Sequence, residues 1–430
     1  MKNIIMILNS MLFIVALVVG GIAFWFMPQQ TISEDENREL APKPVATKDS
    51  VLSGEYEKSF EEYYNDHFPY RNLWIGFANH INTIKGIKSQ EFRVIEPATP
   101  PASHSTTTQN AATDEAVNKE QDPLDFEVDD AEFNRIKGVI VVDGRVVQNF
   151  GGSKATVSPY ADMLNTYRNT LDASVRMYAM MIPSGSDFYL PKQVNDGIKK
   201  EWENIQIFNS LLDLGILPVP AYEEMLPHRD EYIAFRTDHH WTGLGAYYAY
   251  RAMARTAGFT PVELDQMQIV KQEKSFMGSL YNYTRDQELK KNPDFLEYYK
   301  LPNHDDISVT INTKKMDHNN ADAGSPWVLF AESSNSYGAF LGGDYPLLRI
   351  KTKNTSGRKI IVVKDSFGNA LAPYLAAHYD EIYVIDYRHF KGSLPKLIQD
   401  YQVTDLLFAF NTFAANSNSV VKFGTAMLNR

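Results

Sequence analysis

The chain has 430 residues, 44% of them hydrophobic and 12% aromatic, which is room for a large core and more than one part. Its formal net charge of -11 argues against nucleic acid as a partner, since phosphate binding needs basic clusters, and leaves neutral glycans and small molecules open. No cysteine is present, so disulfides, thiolate metal sites and a cysteine nucleophile are excluded.

After Lys2 and Asn3, the run from Ile4 to Phe26 carries no ionisable residue. It is long enough to span a bilayer, which takes roughly 20 apolar residues. Residues 1–28 are therefore expected to be a transmembrane anchor, with a cleaved signal segment as the rival reading. The lone Lys2 favours an N-terminus in the cytoplasm, so the rest of the chain is expected outside the cell membrane. Residues 29–96 read as a polar tether followed by a helical stalk. Tyr56, Phe60, Tyr63 and Tyr64 fall near helical spacing, and Phe68-Pro69 interrupts the run. Asp66, His67 and Arg71 read as a local capping and ion-pair cluster. Residues 97–130 are rich in Pro, Ser, Thr, Ala, Gln and acids and read as a linker.

From residue 131 to 430 the pattern is that of an α/β domain. Gly138 to Phe150 reads as a hairpin with an Asp143-Gly144 turn. Tyr160 to Ala173 reads as a helix, Val175 to Ile182 as a buried strand and Trp202 to Leu214 as a helix. Leu217 to Pro220 is a short extended piece, and Gly243 to Ala257 is a helix. Met267 to Ile350 carries turn clusters between short extended runs and reads as a β-rich insertion that caps the site region. Its Leu341-Gly342-Gly343-Asp344-Tyr345 turn is a candidate binding loop or a structural hairpin. The alternation resumes with strands Ile360 to Val363, Glu381 to Asp386 and Asp405 to Phe410, separated by helices Ala370 to Tyr379 and Leu394 to Asp400. Val420 to Asn429 closes the chain. A largely parallel sheet flanked by helices follows.

Thr237-Asp238-His239-His240-Trp241-Thr242 concentrates an acid and two imidazoles. In an extended segment, residues i and i+2 share a face, so Asp238 pairs with His240 while His239 points away. A carboxylate beside a histidine fixes its tautomer and stabilises its imidazolium, as a general base for a weak nucleophile requires. Ser366 supplies the nucleophile, because Lys359 to Asn369 reads as a buried strand turning into a helix at Gly368. Ligand sites in open α/β sheets lie at such carboxyl ends. The amides around Phe367 and Gly368 are candidate oxyanion donors, and glycine permits close approach of a substrate. The competing reading is that Asp365 and Ser366 only cap the helix. A zinc or iron site on Asp238, His239 and His240 is the other rival, disfavoured by adjacent histidines that point apart. No metal and no cofactor are expected. Asn411, after the last strand, is a candidate oxyanion donor or a turn former. Tyr374 and Arg388 are candidate substrate contacts, with an Arg388–Asp386 ion pair as the alternative. Trp241 reads as core packing ahead of a sugar platform.

The Asp-His-His-Trp string identifies the chain as resembling the DHHW family of Gram-positive bacteria, which is similar to the alginate O-acetylation proteins of the AlgJ and AlgX type. Ile32 to Arg38, Asp66 to Arg71, Ser275 to Tyr281, Leu341 to Leu347 and Asp365 to Gly368 also look like members of that family. The resemblance implies an SGNH-hydrolase-like domain in which Asp238 and His240 precede Ser366. It implies an acyl-serine intermediate and acetyl transfer to an exported polysaccharide, with a membrane-bound O-acyltransferase as the acyl donor system. A carbohydrate esterase with the same triad and a non-catalytic glycan-binding or assembly subunit are the competing functions.

Overall fold

The computed structural model describes residues 32–33, 38–39, 43–68, 133–136, 139–190, 199–312, 320–332, 334 and 336–430. The apolar run 4–26, the linker 97–130 and the stalk beyond residue 68 lie outside them. Among the described residues, no helix is long and apolar enough to cross a membrane. The chain divides into two units, Met1–Glu91 with Asn282–Arg285, and Phe92–Tyr281 with Asp286–Arg430.

In the first unit, helix α1 spans Lys48–Leu52 and α2 spans Glu55–Asp66. Tyr56, Phe60 and Tyr63 pack ring to ring along α2, as their spacing predicts. His67 ends the helix, its amide and Nδ1 both directed to the Tyr63 carbonyl. Arg71 lies outside the described residues.

The second unit opens with a three-stranded antiparallel sheet of β1 (Phe133–Ile136), β2 (Val139–Val142) and β3 (Arg145–Gln148). Asp143 and Gly144 both take positive φ, 48° and 70°, the geometry of a tight hairpin turn whose twist matches the strands. Helix α3 (Lys154–Thr170) begins six residues earlier than the apolar pattern marks. Ser153 caps it by accepting from the Thr156 amide, and Pro159 sits inside the helix rather than ahead of it.

Among the described residues, the main sheet has eight strands. Its parallel part comprises β4 (Arg176–Ile182), β5 (Ile216–Pro218), β11 (Lys359–Lys364), β12 (Glu381–Asp386) and β13 (Asp405–Asn411), in the order β12-β11-β13-β4-β5. Most of these strands are buried on both faces, which explains their continuous apolar runs. Helices α3, α4 (Glu201–Ser210), α5 (Gly243–Thr256), α6 (Gly368–Leu375), α7 (Leu394–Tyr401) and α8 (Asn418–Leu428) supply the apolar residues that complete the core.

Two sequence expectations need correction here. The sheet is mixed, and the stretch 267–350 is not a separate insertion throughout. Only β6 (Gln268–Phe276) and β7 (Asp294–Lys300) form a ribbon of their own. Strands β8 (Ser308–Asn312), β9 (Ser325–Trp327) and β10 (Leu347–Lys351) extend the main sheet beyond β12, and every pairing there is antiparallel. The link 352–358 between β10 and β11 is too short for the crossover that parallel strands need, so β10 runs opposite to β11. Its buried Leu347 to Ile350 then completes the hydrogen bonding of β12's outer edge.

Candidate active site

Ser366 lies on the turn between β11 and α6, at the carboxyl end of the parallel strands. Its Oγ is 2.8 Å from His240 Nε2, and His240 Nδ1 is 2.6 Å from Asp238 Oδ1. Three residues from two distant stretches thus form one hydrogen-bonded chain. Asp238 and His240 are each only 9% exposed, which keeps water from competing for these bonds.

The route by which Asp238 meets His240 differs from the extended-segment argument. The segment is a closed loop whose base is an antiparallel bridge between Ala234 and Trp241. Phe235 donates its amide to the His240 carbonyl, and Asp238 Oδ1 accepts the His240 amide at 3.0 Å, two residues on. An aspartate that accepts from its own chain in this way makes a side-chain turn. His239 therefore does not point away. Its ring lies 3.8 Å from that of His240, and its Nδ1 is 2.6 Å from Ser279 Oγ.

The loop is held from outside by residues the sequence reading did not single out. Asp294, at the start of β7 and wholly buried, accepts from the amides of Arg236 and Thr237, from Thr237 Oγ1 and from the Tyr232 hydroxyl. Burial pushes its carboxyl up while those four bonds hold it down. Gly278 presses against Asp238, where an added Cβ would come within 2.3 Å of the Asp238 Cβ, and the Ser279 amide donates to Asp238 Oδ2 at 2.9 Å. Burial opposes ionisation of Asp238, yet the His240 and His239 imidazoles and these hydrogen bonds outweigh it and hold the carboxyl well below the usual carboxylate range. His239 is lowered to about 4 by burial and by the neighbouring His240, so it stays neutral at pH 7.

Tyr337 joins the two halves. Its ring stacks on His240 at 3.7 Å with 5° between the planes, and its hydroxyl donates to the Ser366 and Phe367 carbonyls at 2.8 and 3.0 Å. Trp241 is 1% exposed and donates Nε1 to the same Phe367 carbonyl, so it is packing and not a sugar platform. No local pattern marks Tyr337 or Asp294. One lies in a Ser- and Gly-containing loop and the other follows a turn-forming Asn-Pro, and both act on partners remote in sequence.

The remaining candidates fall in different places. The Phe367 and Gly368 amides are already committed to Asp365, to its Oδ1 at 2.9 Å and its carbonyl at 3.1 Å, so neither is a free oxyanion donor. The Ser366 amide, by contrast, donates to no group among the described residues. Gly368 is required by packing, since a Cβ there would meet the Lys364 Cβ at 2.4 Å. Asn411 donates its amide to Asp365 Oδ2, and its side chain caps the short helix Thr412–Ala415. Burial raises Asp365 to about 6 against the opposing Asn411 and Phe367 amides. Tyr374 is buried and donates to the Gly243 carbonyl, away from Ser366 in the helix core. Arg388 pairs with Asp386 and also with Asp344. Asp344 comes from the Leu341 to Tyr345 turn and binds buried Lys364 and Asn369 as well, so that turn is a structural clamp beneath the serine.

The ligand-capable atoms of Asp238, His239 and His240 lie within 4.8 Å of one another, which removes the geometric objection to a shared ion. Both ring nitrogens of His240 and both oxygens of Asp238 have partners, and a metal there would displace Ser366 or Ser279.

Fold and site together define an α/β protein with a mixed central sheet and an aspartate–histidine–serine hydrogen-bonded chain at the strand ends. The model of the DHHW protein family matches residues 110–385, and the chain belongs to the DHHW family. A DHHW family protein from Eubacterium siraeum is 32% identical, covers 68% of this chain and 97% of its own, and superposes with a TM-score of 0.62. Bacillus cereus PatB1 shares the fold at 21% identity, covering 66% of this chain and 98% of its own with a TM-score of 0.56. The O-acetyltransferase domain of Pseudomonas putida AlgJ aligns over 67% of this chain and 96% of its own at 11% identity, with a TM-score of 0.37, too low to argue from. No curated protein matches the chain.

Proposed function

We propose that this protein is a serine O-acetyltransferase, anchored in the cell membrane through residues 4–26, that acts on an exported polysaccharide. The observation that carries the reading is the chain from Asp238 through His240 to Ser366 Oγ, at a turn whose serine amide donates to no group among the described residues. Asp238, held ionised, accepts the Nδ1 proton and leaves the Nε2 lone pair facing the serine. His240 takes the Ser366 proton as Oγ attacks the acyl carbon. The Ser366 amide stabilises the oxyanion, and the imidazolium protonates the leaving group. A sugar hydroxyl then resolves the acyl-serine by the reverse sequence. The acetyl group, the polysaccharide acceptor and a membrane-bound O-acyltransferase as donor come from the resemblance of the Asp-His-His-Trp region to alginate O-acetylation proteins. PatB1, which shares the fold, has been solved with a sulfonyl adduct.

The test uses the full-length protein in detergent, with chelator present. p-Nitrophenyl acetate should leave an acetyl group on Ser366, and phenylmethylsulfonyl fluoride should label the same serine, both read by peptide mass spectrometry. Modification elsewhere, or turnover that the chelator removes, would sink the serine mechanism.

Tyr337 provides a second prediction. Tyr337→Phe keeps the stacked ring and loses the two carbonyl contacts, and kcat for the ester is expected to fall about 10-fold with KM little changed. Tyr337→Leu removes the stacking as well and should cost about 100-fold. A change confined to KM, or a loss that follows melting temperature in both variants, would remove Tyr337 from the positioning role.

A further inference from the structure

His239 stands between the two residues of the acid–base pair and takes no part in the proton transfer described above. Its ring lies 3.8 Å from the His240 ring. Its Nδ1 is 3.7 Å from Asp238 Oδ1, too far for a hydrogen bond, and 2.6 Å from Ser279 Oγ. The imidazole is therefore directed at Ser279 and not at the carboxylate beside it.

Ser279 matters because its amide holds the far oxygen of Asp238. That amide donates to Asp238 Oδ2 at 2.9 Å, while Oδ1 accepts the amide and Nδ1 of His240. The terminal torsion of an aspartate is broad and two-fold, so rotamer preference alone does not fix the carboxylate plane. Donors on both oxygens fix it, and the donor on Oδ2 comes from a separate segment. Residues 278–281 dock on the Asp-His-His loop through the Gly278 amide, 2.8 Å from Thr237 Oγ1, and the Tyr281 amide, 2.9 Å from the Thr237 carbonyl. Between these two, Ser279 is exposed, where water competes for its bonds. The loop grips it twice, at the amide through Asp238 and at the hydroxyl through His239, and the two grips close a ring of bonds on consecutive residues.

We propose that His239 is a positioning residue, which latches Ser279 so that the Ser279 amide keeps the Asp238 carboxylate aimed at His240 Nδ1; its effect on turnover rests on the acyl-serine reading above. The role is hydrogen bonding at Nδ1 and not charge. His239 is neutral at pH 7, so it adds no repulsion when His240 becomes the imidazolium. Ser279 Oγ can donate to Nδ1 or accept from it. An asparagine amide carries a donor and an acceptor as far along the side chain as Nδ1 and can replace either. Glutamine carries its amide one bond further out, at the distance of Nε2.

The experiment compares the full-length protein in detergent with His239→Asn, His239→Gln, Ser279→Ala and the double variant His239→Gln/Ser279→Ala. Three quantities are read: kcat and KM for p-nitrophenyl acetate, melting temperature, and the proton NMR signal of His240 Nδ1–H. The short bond to Asp238 places that signal far downfield, and its loss in His240→Ala assigns it. His239→Gln and Ser279→Ala should each lower kcat about 10- to 100-fold with KM little changed, and move the signal upfield. The double variant should be no worse than either, since both changes break one latch. His239→Asn should keep turnover and signal close to wild type. Damage in His239→Asn equal to that in His239→Gln, with Ser279→Ala silent, would give the work to the other ring nitrogen and overturn the latch. Losses of turnover that follow melting temperature while the signal stays in place would reduce His239 to a structural residue. A signal that moves as expected in a protein that never acetylates Ser366 would instead sink the acyl-serine reading and keep the latch, so the two fail separately.

Discussion

Ser366→Ala should lower acyl turnover by about 10³-fold or more, and Ser366→Ala/His240→Ala should be scarcely worse than either single change. The reason is that Oγ and Nε2, 2.8 Å apart, perform one proton transfer between them. Once either is gone, the other has nothing to act on. Asp238→Asn tests the third member with little change of shape. An amide nitrogen turned to Nδ1 donates where the carboxylate accepts, which favours the tautomer that presents N–H to the serine, and the loss should be on the order of 10³- to 10⁴-fold. The measurements are kcat/KM for p-nitrophenyl acetate and melting temperature for all four proteins. Additive losses in the double variant would show that the residues act independently and that the hydrogen-bonded chain is not the working unit. Ser366→Ala is the cleanest of the set. His240→Ala leaves a buried carboxylate without its hydrogen-bond donor at Nδ1, so its turnover must be compared with its melting temperature.

Asp294→Ala should be the most destabilising change outside the core, by about 3–5 kcal/mol. The carboxylate is fully buried and serves four donors, two of them consecutive amides of the loop that leads into Asp238. Alanine leaves all four unpaired in a place water does not reach. The expected result is a lower urea midpoint together with loss of ester turnover even at temperatures where the variant is folded, because Thr237 also accepts the Gly278 amide that sets the floor under Asp238. Asp294→Asn retains one acceptor oxygen and should fall between wild type and alanine in both measurements. Full turnover in a destabilised but folded Asp294→Ala would show that the loop keeps its shape without this carboxylate.

Much of the fold is legible in sequence because its strands are buried on both faces. Runs such as Ile360 to Val363 and Leu406 to Phe410 have no other stable place than the centre of a sheet. The hairpin at Asp143-Gly144 is legible for a local reason, since those residues tolerate positive φ. The antiparallel strands β8 and β10 were not legible as part of the sheet. Their membership depends on what β12 leaves unpaired, and no pattern within residues 308–351 records that. Helix α3 starts ahead of its apolar stripe because the capping serine, Ser153, and not the first apolar residue fixes the first turn.

The sequence by itself determined the chemistry available: no thiol, a carboxylate and imidazoles within three residues, and a serine between an apolar strand and a helix. Those are covalent facts of spacing, and they narrow the nucleophile and the base without coordinates. Only the tertiary structure decided how the groups are used. The approach of His240 to Ser366, the commitment of the Asn411 amide to Asp365, and the clamping by Asp294 and Tyr337 all join residues far apart in the chain. A hydrogen bond is settled by distance and angle in space, to within a few tenths of an ångström, and spacing along the chain carries no such information for partners separated by scores of residues.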